Sequence, residues 1–280
     1  MGLEANVGGC HKFLYLRPAS KGISKVAKST AGLWTDLEIK YAVEAYVFLL
    51  RAQGAGLSLS EGASTRILLA NHLASRNEAS IRYRMRNISA VARELGGPVL
   101  KAYSPAEQVG GNVRARIRDM LVTNVEFQNL ASHQQAGVSA STVPRSDQAE
   151  VIERLKALRT YLTDVERQVL GVGHNQPPEP LSSAELSRED FDRARADIDA
   201  LEKQVSAGPH DARDEKATKR HSESLLAFGL KIAVWVGARA TKFTDVALTV
   251  LAPVVVAKVT GLAPIVINAI SAAAHLLKPQ

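Results

Sequence analysis

The sequence predicts an all-α protein: a three-helix N-terminal domain, helical spacer segments and hydrophobic C-terminal helices. Two observations carry the prediction. Apolar residues return at spacings of three and four from Ile39 to Leu95 and again from Ile152 to Val205, the period of one buried helix face, and Gly- or Pro-bearing breaks separate the runs. Hydrophobic residues make up 46% of the chain, enough for a real core, and 280 residues suit two domains.

Residues 1–33 carry scattered Lys and Gly, with no apolar run of signal-peptide length in Met1 to Thr30, and read as a flexible basic arm. Residues 34–121 form the next expected domain. Thr35 is a natural N-cap, and Asp36 and Glu38 suit the positive end of a helix dipole. Ile39, Ala42, Val43, Tyr46, Leu49 and Leu50 then mark one buried face, which ends at Gly54 and Gly56. Ser60 and Glu61 open a second helix through Ile67, Leu68, Leu69 and Leu73. After the turn Ser75-Arg76-Asn77, a third helix runs from Glu78 to Leu95 with Ile81, Met85, Ile88, Ala92 and Leu95 on its packing stripe.

About a third of a turn away, Arg82, Arg86, Ser89 and Arg93 align in one ridge, while Tyr83, Asn87 and Ala90 continue the expected exposed surface. Guanidinium groups bind phosphates or guanine edges bidentately, and Asn pairs with adenine. Residues 1–120 hold 17 Lys and Arg against 9 Asp and Glu, whereas the remainder holds 18 against 19. A basic front points to a polyanionic partner, nucleic acid before an anionic membrane. The expected nucleic-acid contacts are therefore Arg76, Arg82, Tyr83, Arg86, Asn87, Ser89 and Arg93, with duplex DNA as partner; the plainer reading is a solvated face.

Trp34-Thr35-x-x-Glu38, Tyr46, Arg76-x-x-x-Ser80-Ile81, Asn87-Ile88-Ser89-Ala90-Val91, Leu95-Gly96 and Tyr103-x-Pro105 form a further pattern. It resembles the SANT- or Myb-like helical module found in front of HNH-type nuclease domains in bacterial restriction-like endonucleases. The resemblance spans Trp34 to Leu121 and implies a three-helix DNA-binding fold. The chain departs from that pattern at Ser58-Leu59-Ser60-Glu61-Gly62-Ala63, where a Lys/His-bearing second helix is usual, and at Arg82, where an acidic residue often stands.

The nuclease half has no counterpart. An HNH unit needs spaced His and Asn residues in a ββα frame, but His174-Asn175 runs directly into Gln176-Pro177-Pro178. His11, His72, His133, His210, His221 and His275 are scattered, and the single Cys10 excludes both an internal disulfide and a multi-Cys zinc site. We therefore expect no catalytic residues, metal or cofactor, and no enzyme activity.

Residues 122–147 read as a linker. Ile152, Leu155, Leu158, Leu162, Val165 and Val169 give residues 148–170 one apolar seam, fit either for a coiled coil that pairs two chains or for a helix of the same chain. Residues 171–183 form a Pro-rich break. Residues 184–207, capped by Ser182 or Ser183, form an acidic amphipathic helix with Phe191, Ala194, Ile198, Leu201 and Val205 on its seam.

Residues 213–280 read as a hydrophobic helical tail. Val259 to Leu277 is 19 residues without Lys, Arg, Asp or Glu, though Gly261 and Pro264 interrupt it. Leu225, Phe228, Ile232, Trp235 and Val236 line one side of the preceding segment beside Lys231, Arg239 and Lys242, as on a helix at a membrane surface. Membrane contact and homo-oligomerisation are both open for this tail. The expectation is thus a non-catalytic bacterial DNA-binding protein, regulatory or directed at foreign DNA, cytoplasmic or at the inner face of the membrane. The alternative is a membrane-acting or interaction protein whose front domain binds a protein.

Overall fold

In the computed structural model, residues 33–135, 147–169, 186–207, 212–242 and 262–277 are described. All their regular structure is helical: α1 (Asp36–Gly54), α2 (Glu61–Ala70), α3 (Glu78–Glu94), α4 (Gly111–Thr123), α5 (Val125–Gln135), α6 (Gln148–Val169), α7 (Arg188–Ala207), α8 (Ala212–Lys242) and α9 (Leu262–Leu276). The basic arm and the Pro-rich break lie outside the described residues, apart from Leu33.

Local chemistry sets the first three helices as the sequence predicts. Thr35 and Glu38 form a reciprocal capping box: Glu38 N donates to Thr35 Oγ1 at 3.2 Å and Thr35 N donates to Glu38 Oε2 at 2.8 Å. Ser60 and Asn77 cap α2 and α3 through their side-chain oxygens. Two helices exceed the prediction. The end of the first domain and the start of the expected linker hold α4 and α5, whose Ile117, Leu121 and Phe127 are fully buried. Farther along, the cap of α7 is Ser187 rather than Ser182 or Ser183: Asp190 N donates to Ser187 Oγ at 3.3 Å.

The architecture turns on α1. From Ile39 to Ala52 all but Lys40, Glu44 and Arg51 are buried, including Tyr41, Ala45, Val47 and Phe48, which fall outside the single face read from spacing. A helix covered round most of its circumference is a central helix. α3, α4 and α5 cover part of its circumference, and α8 covers another, with α9 touching its end. Ser271 Oγ on α9 donates to the Ala55 carbonyl at 2.8 Å, fastening that end.

α6 to α9 close a four-helix bundle in which each helix packs on the next and α9 returns to α6. The seam of α6 (Val151, Leu155, Leu158, Leu162, Val165) thus meets the seam of α7 within one chain. Phe191 on α7 meets Phe228 on α8 edge-on, with ring centroids 5.3 Å apart.

The apolar face of the tail's described helices is core. Leu225, Phe228, Ile232, Trp235 and Val236 are buried, as are Leu262, Val266, Ile267, Ile270 and Ala273. Each such large side chain contributes about 1.5–3 kcal/mol through burial. These side chains have partners within the chain. Lys231, beside that apolar side, sets its Nζ 2.8 Å from Asp190 Oδ1. Among the described residues no helix is long and apolar enough to cross a membrane. The described residues from Trp34 onward belong to one compact unit.

Candidate nucleic-acid interface

α3 carries the expected site, and its neighbours decide which of its residues reach solvent. After Glu94 the chain turns through Gly96, whose φ of 71° lies in the left-handed region that glycine tolerates. The segment that follows folds back over α3. It presents the Tyr103 carbonyl to Ser89, whose Oγ donates to it at 2.7 Å and lies 3.2 Å from Tyr46 Oη. Ser89 is 0% exposed and belongs to the core rather than the ridge.

Asn87 is 2% exposed, also inside, and Ala90 is buried against Ala106, Val109 and Val113. Asn87, Ser89 and Ala90, expected on the surface, lie inside: the segment after α3 brings the Tyr103 carbonyl to Ser89 and packs Ala106, Val109 and Val113 on Ala90. Arg76 also turns inward. Its Nε and Nη2 grip Glu38 at 2.7 and 2.6 Å, and its guanidinium lies 5.3 Å from the Trp34 ring centroid. Chiefly because of Arg76, the Glu38 carboxyl falls to a pKa of about 2, against the opposing effect of burial.

Four residues of the predicted set remain outside. Tyr83 is 54% exposed. Arg86 is exposed, and its Nε donates to the Ser104 carbonyl at 3.1 Å, which fixes the guanidinium at the edge of a groove. Arg93 is exposed at the last turn. Arg82 is half-exposed but lies between two carboxylates, Glu61 at 3.1 Å and Glu78 at 3.2 Å. Arg82, Tyr83 and Arg86, with Glu61, Ala102 and Ser104, line an open cavity of about 450 Å³. A second cavity of about 310 Å³ shares Ala102 and runs past Lys101 toward Leu57 and Leu59.

One arginine that the ridge omitted stands apart. Arg84 is 7% exposed, and its guanidinium lies 4.7 Å from the Trp34 ring centroid. Burial first, then the charges of Arg116 and Arg76, push its pKa down to about 10. The angular signal was present in the sequence, since Arg84 falls on the opposite side of the packing stripe from Arg82.

Among the described residues no group of three His, Cys, Asp or Glu side chains is placed to hold a metal ion. No protein-family model, no curated protein and no solved structure matches the chain.

Proposed function

We propose that this is a non-catalytic bacterial DNA-binding protein that contacts the duplex along the exposed edge of α3. The observation that carries the reading is the pairing of an exposed aromatic, Tyr83, with a backbone-anchored guanidinium, Arg86, at the rim of an open groove. A fixed guanidinium is preorganised for phosphate, and Arg93 extends the cationic edge toward the end of the helix. Five further basic residues stand before Trp34, at Lys12, Arg17, Lys21, Lys25 and Lys28. Membrane anchorage is not part of this proposal, and the cytoplasm is the expected location of a protein that meets DNA.

A second reading, a protein partner, draws on the neutralisation of Arg82 by Glu61 and Glu78, which leaves the groove less basic than the sequence implies. Duplex titration across a salt series separates the two. DNA binding gives a log-log salt slope of about −0.9 per phosphate neutralised, and Arg86→Ala reduces that slope by about one. Absence of duplex binding at low salt sinks the first reading.

A further inference from the structure

Three guanidinium groups converge on Trp34. Arg76 and Arg84 each lie over its ring, at 5.3 and 4.7 Å from the centroid, and Arg116 Nη1 donates to its backbone carbonyl at 2.9 Å. Two carboxylates answer them: Glu38 holds Arg76, and Asp36 accepts from Arg116 Nε at 2.6 Å. Arg84 has none. Its Nε and Nη1 are buried without an acceptor, and the charges acting on it most strongly are the two other arginines. One turn along α3, the Oδ1 of Asn87 is likewise buried without a donor.

This arrangement is costly as it stands. A guanidinium stays protonated at neutral pH, so desolvating it between like charges without a counterion is a large penalty. Stacking on Trp34 returns only part of that, because a cation–π contact is weaker than the hydration it replaces. The cluster is one negative charge short. We propose that Arg84, together with Arg116 and Asn87, forms a binding site for one small oxyanion, a phosphate or a carboxylate group, at the Trp34 face of α3. The unpartnered Arg84 donors supply the charge-assisted hydrogen bonds that such a group accepts. Arg116 is partly exposed, and the Asn87 amide, once turned, offers a further donor. The site lies on the other side of α3 from Arg82 and Arg86, so it does not depend on the DNA reading.

The test uses the full chain at constant ionic strength, with chloride replaced stepwise by inorganic phosphate, and separately by acetate. The expected result is a saturable rise in Tm of about 2–5 °C and one phosphate bound per chain by calorimetry. Arg84→Met removes the response without lowering Tm in chloride, since it deletes an uncompensated charge, and Arg84→Lys leaves a weakened response. Should Arg84→Met fail to fold, the wild-type stoichiometry and the Arg84→Lys curve still decide. A duplex that displaces phosphate identifies the oxyanion source as the DNA backbone, and a response to phosphate that duplex leaves intact identifies a free ion. A wild-type Tm indifferent to both anions overturns the site. So does an unchanged response in Arg84→Met, or a silent phosphate series with a Tm that drops on Glu4→Gln, which would assign the counterion to the chain's own arm.

Discussion

A Cβ placed on Gly229 of α8 would stand 2.8 Å from Cζ of Phe48 on α1, closer than real Cβ contacts allow, and 3.3 Å from Val266 Cγ1 on α9. The front helices and the C-terminal bundle are in contact at this point, and the contact admits no methyl group. Gly229→Ala is therefore expected to lower stability by about 1 kcal/mol, an overpacking cost of about 1–3 kcal/mol less up to about 1 kcal/mol of helix propensity gained. Trimming the ring with Phe48→Leu should absorb the new methyl, so the double variant loses less than the sum of the singles. Urea denaturation measures all three, and strict additivity would refute the contact.

The Glu38–Arg76 pair predicts the acid limb of the stability curve. The folded carboxyl, near pKa 2, lies well below its ordinary value of 4.5, so its contribution is fully present above about pH 4.5 and is lost as pH falls toward 2. The linked stabilisation is on the order of 1–3 kcal/mol. Glu38→Gln should flatten the pH dependence between 4.5 and 2 and lower stability at neutral pH, where Arg76 loses its partner. A Glu38→Gln profile parallel to wild type in that window would contradict the pairing.

Ser89 and Arg86 are separated by three positions on α3 and are expected to fail in opposite ways. Ser89→Ala leaves the Tyr103 carbonyl and Tyr46 hydroxyl short of a buried partner and should cost about 1–3 kcal/mol in thermal or urea unfolding. Its effect on duplex binding should vanish once folded protein is selected. Arg86→Ala should change stability by under about 0.5 kcal/mol and weaken duplex binding instead. If Ser89→Ala proved neutral for folding and specific for binding, the 100–104 segment would have to leave α3 in solution.

The same pair of residues shows what the sequence can and cannot reveal. Caps and helix period are local, so Thr35 and Ser60 announced the starts of α1 and α2, the turn through Asn77 marked that of α3, and the spacing in α6 and α7 announced their buried seams. What covers a helix is not local. The residues of the pattern that carries the resemblance fall into two networks: Trp34 Nε1 donates to Ser80 Oγ at 3.1 Å beside the Glu38–Arg76 pair, and Ser89 joins Tyr46 to Tyr103. Those residues build the fold, and of the expected nucleic-acid contacts Tyr83, Arg86, Arg93 and part of Arg82 remain exposed. The helices α4 and α5 went unread because short apolar spacings at Val113, Ile117, Met120 and Leu121 sit among arginines and polar residues that suit a surface equally well.

The last prediction concerns the tail, whose composition points to lipid or to a second chain while its described residues point inward. Ile270 of α9 is fully buried and Asn268, two positions earlier, is exposed. Ile270→Asp would bury an unpaired carboxylate in the bundle core at a cost of several kcal/mol, a large share of a typical domain's stability of about 5–15 kcal/mol. Asn268→Asp places the same charge on the water side. We expect Ile270→Asp to lose the cooperative unfolding transition or accumulate in the insoluble fraction, and Asn268→Asp to unfold within about 0.5 kcal/mol of wild type. A tail facing lipid or a partner would give the opposite result for Ile270→Asp, a chain released into solution with its fold intact, because the charge would then fall on an outward apolar face. The readout is a denaturation curve paired with sedimentation of the soluble fraction. An intact transition for Ile270→Asp would mean that α9 does not pack on α6, α8 and the end of α1.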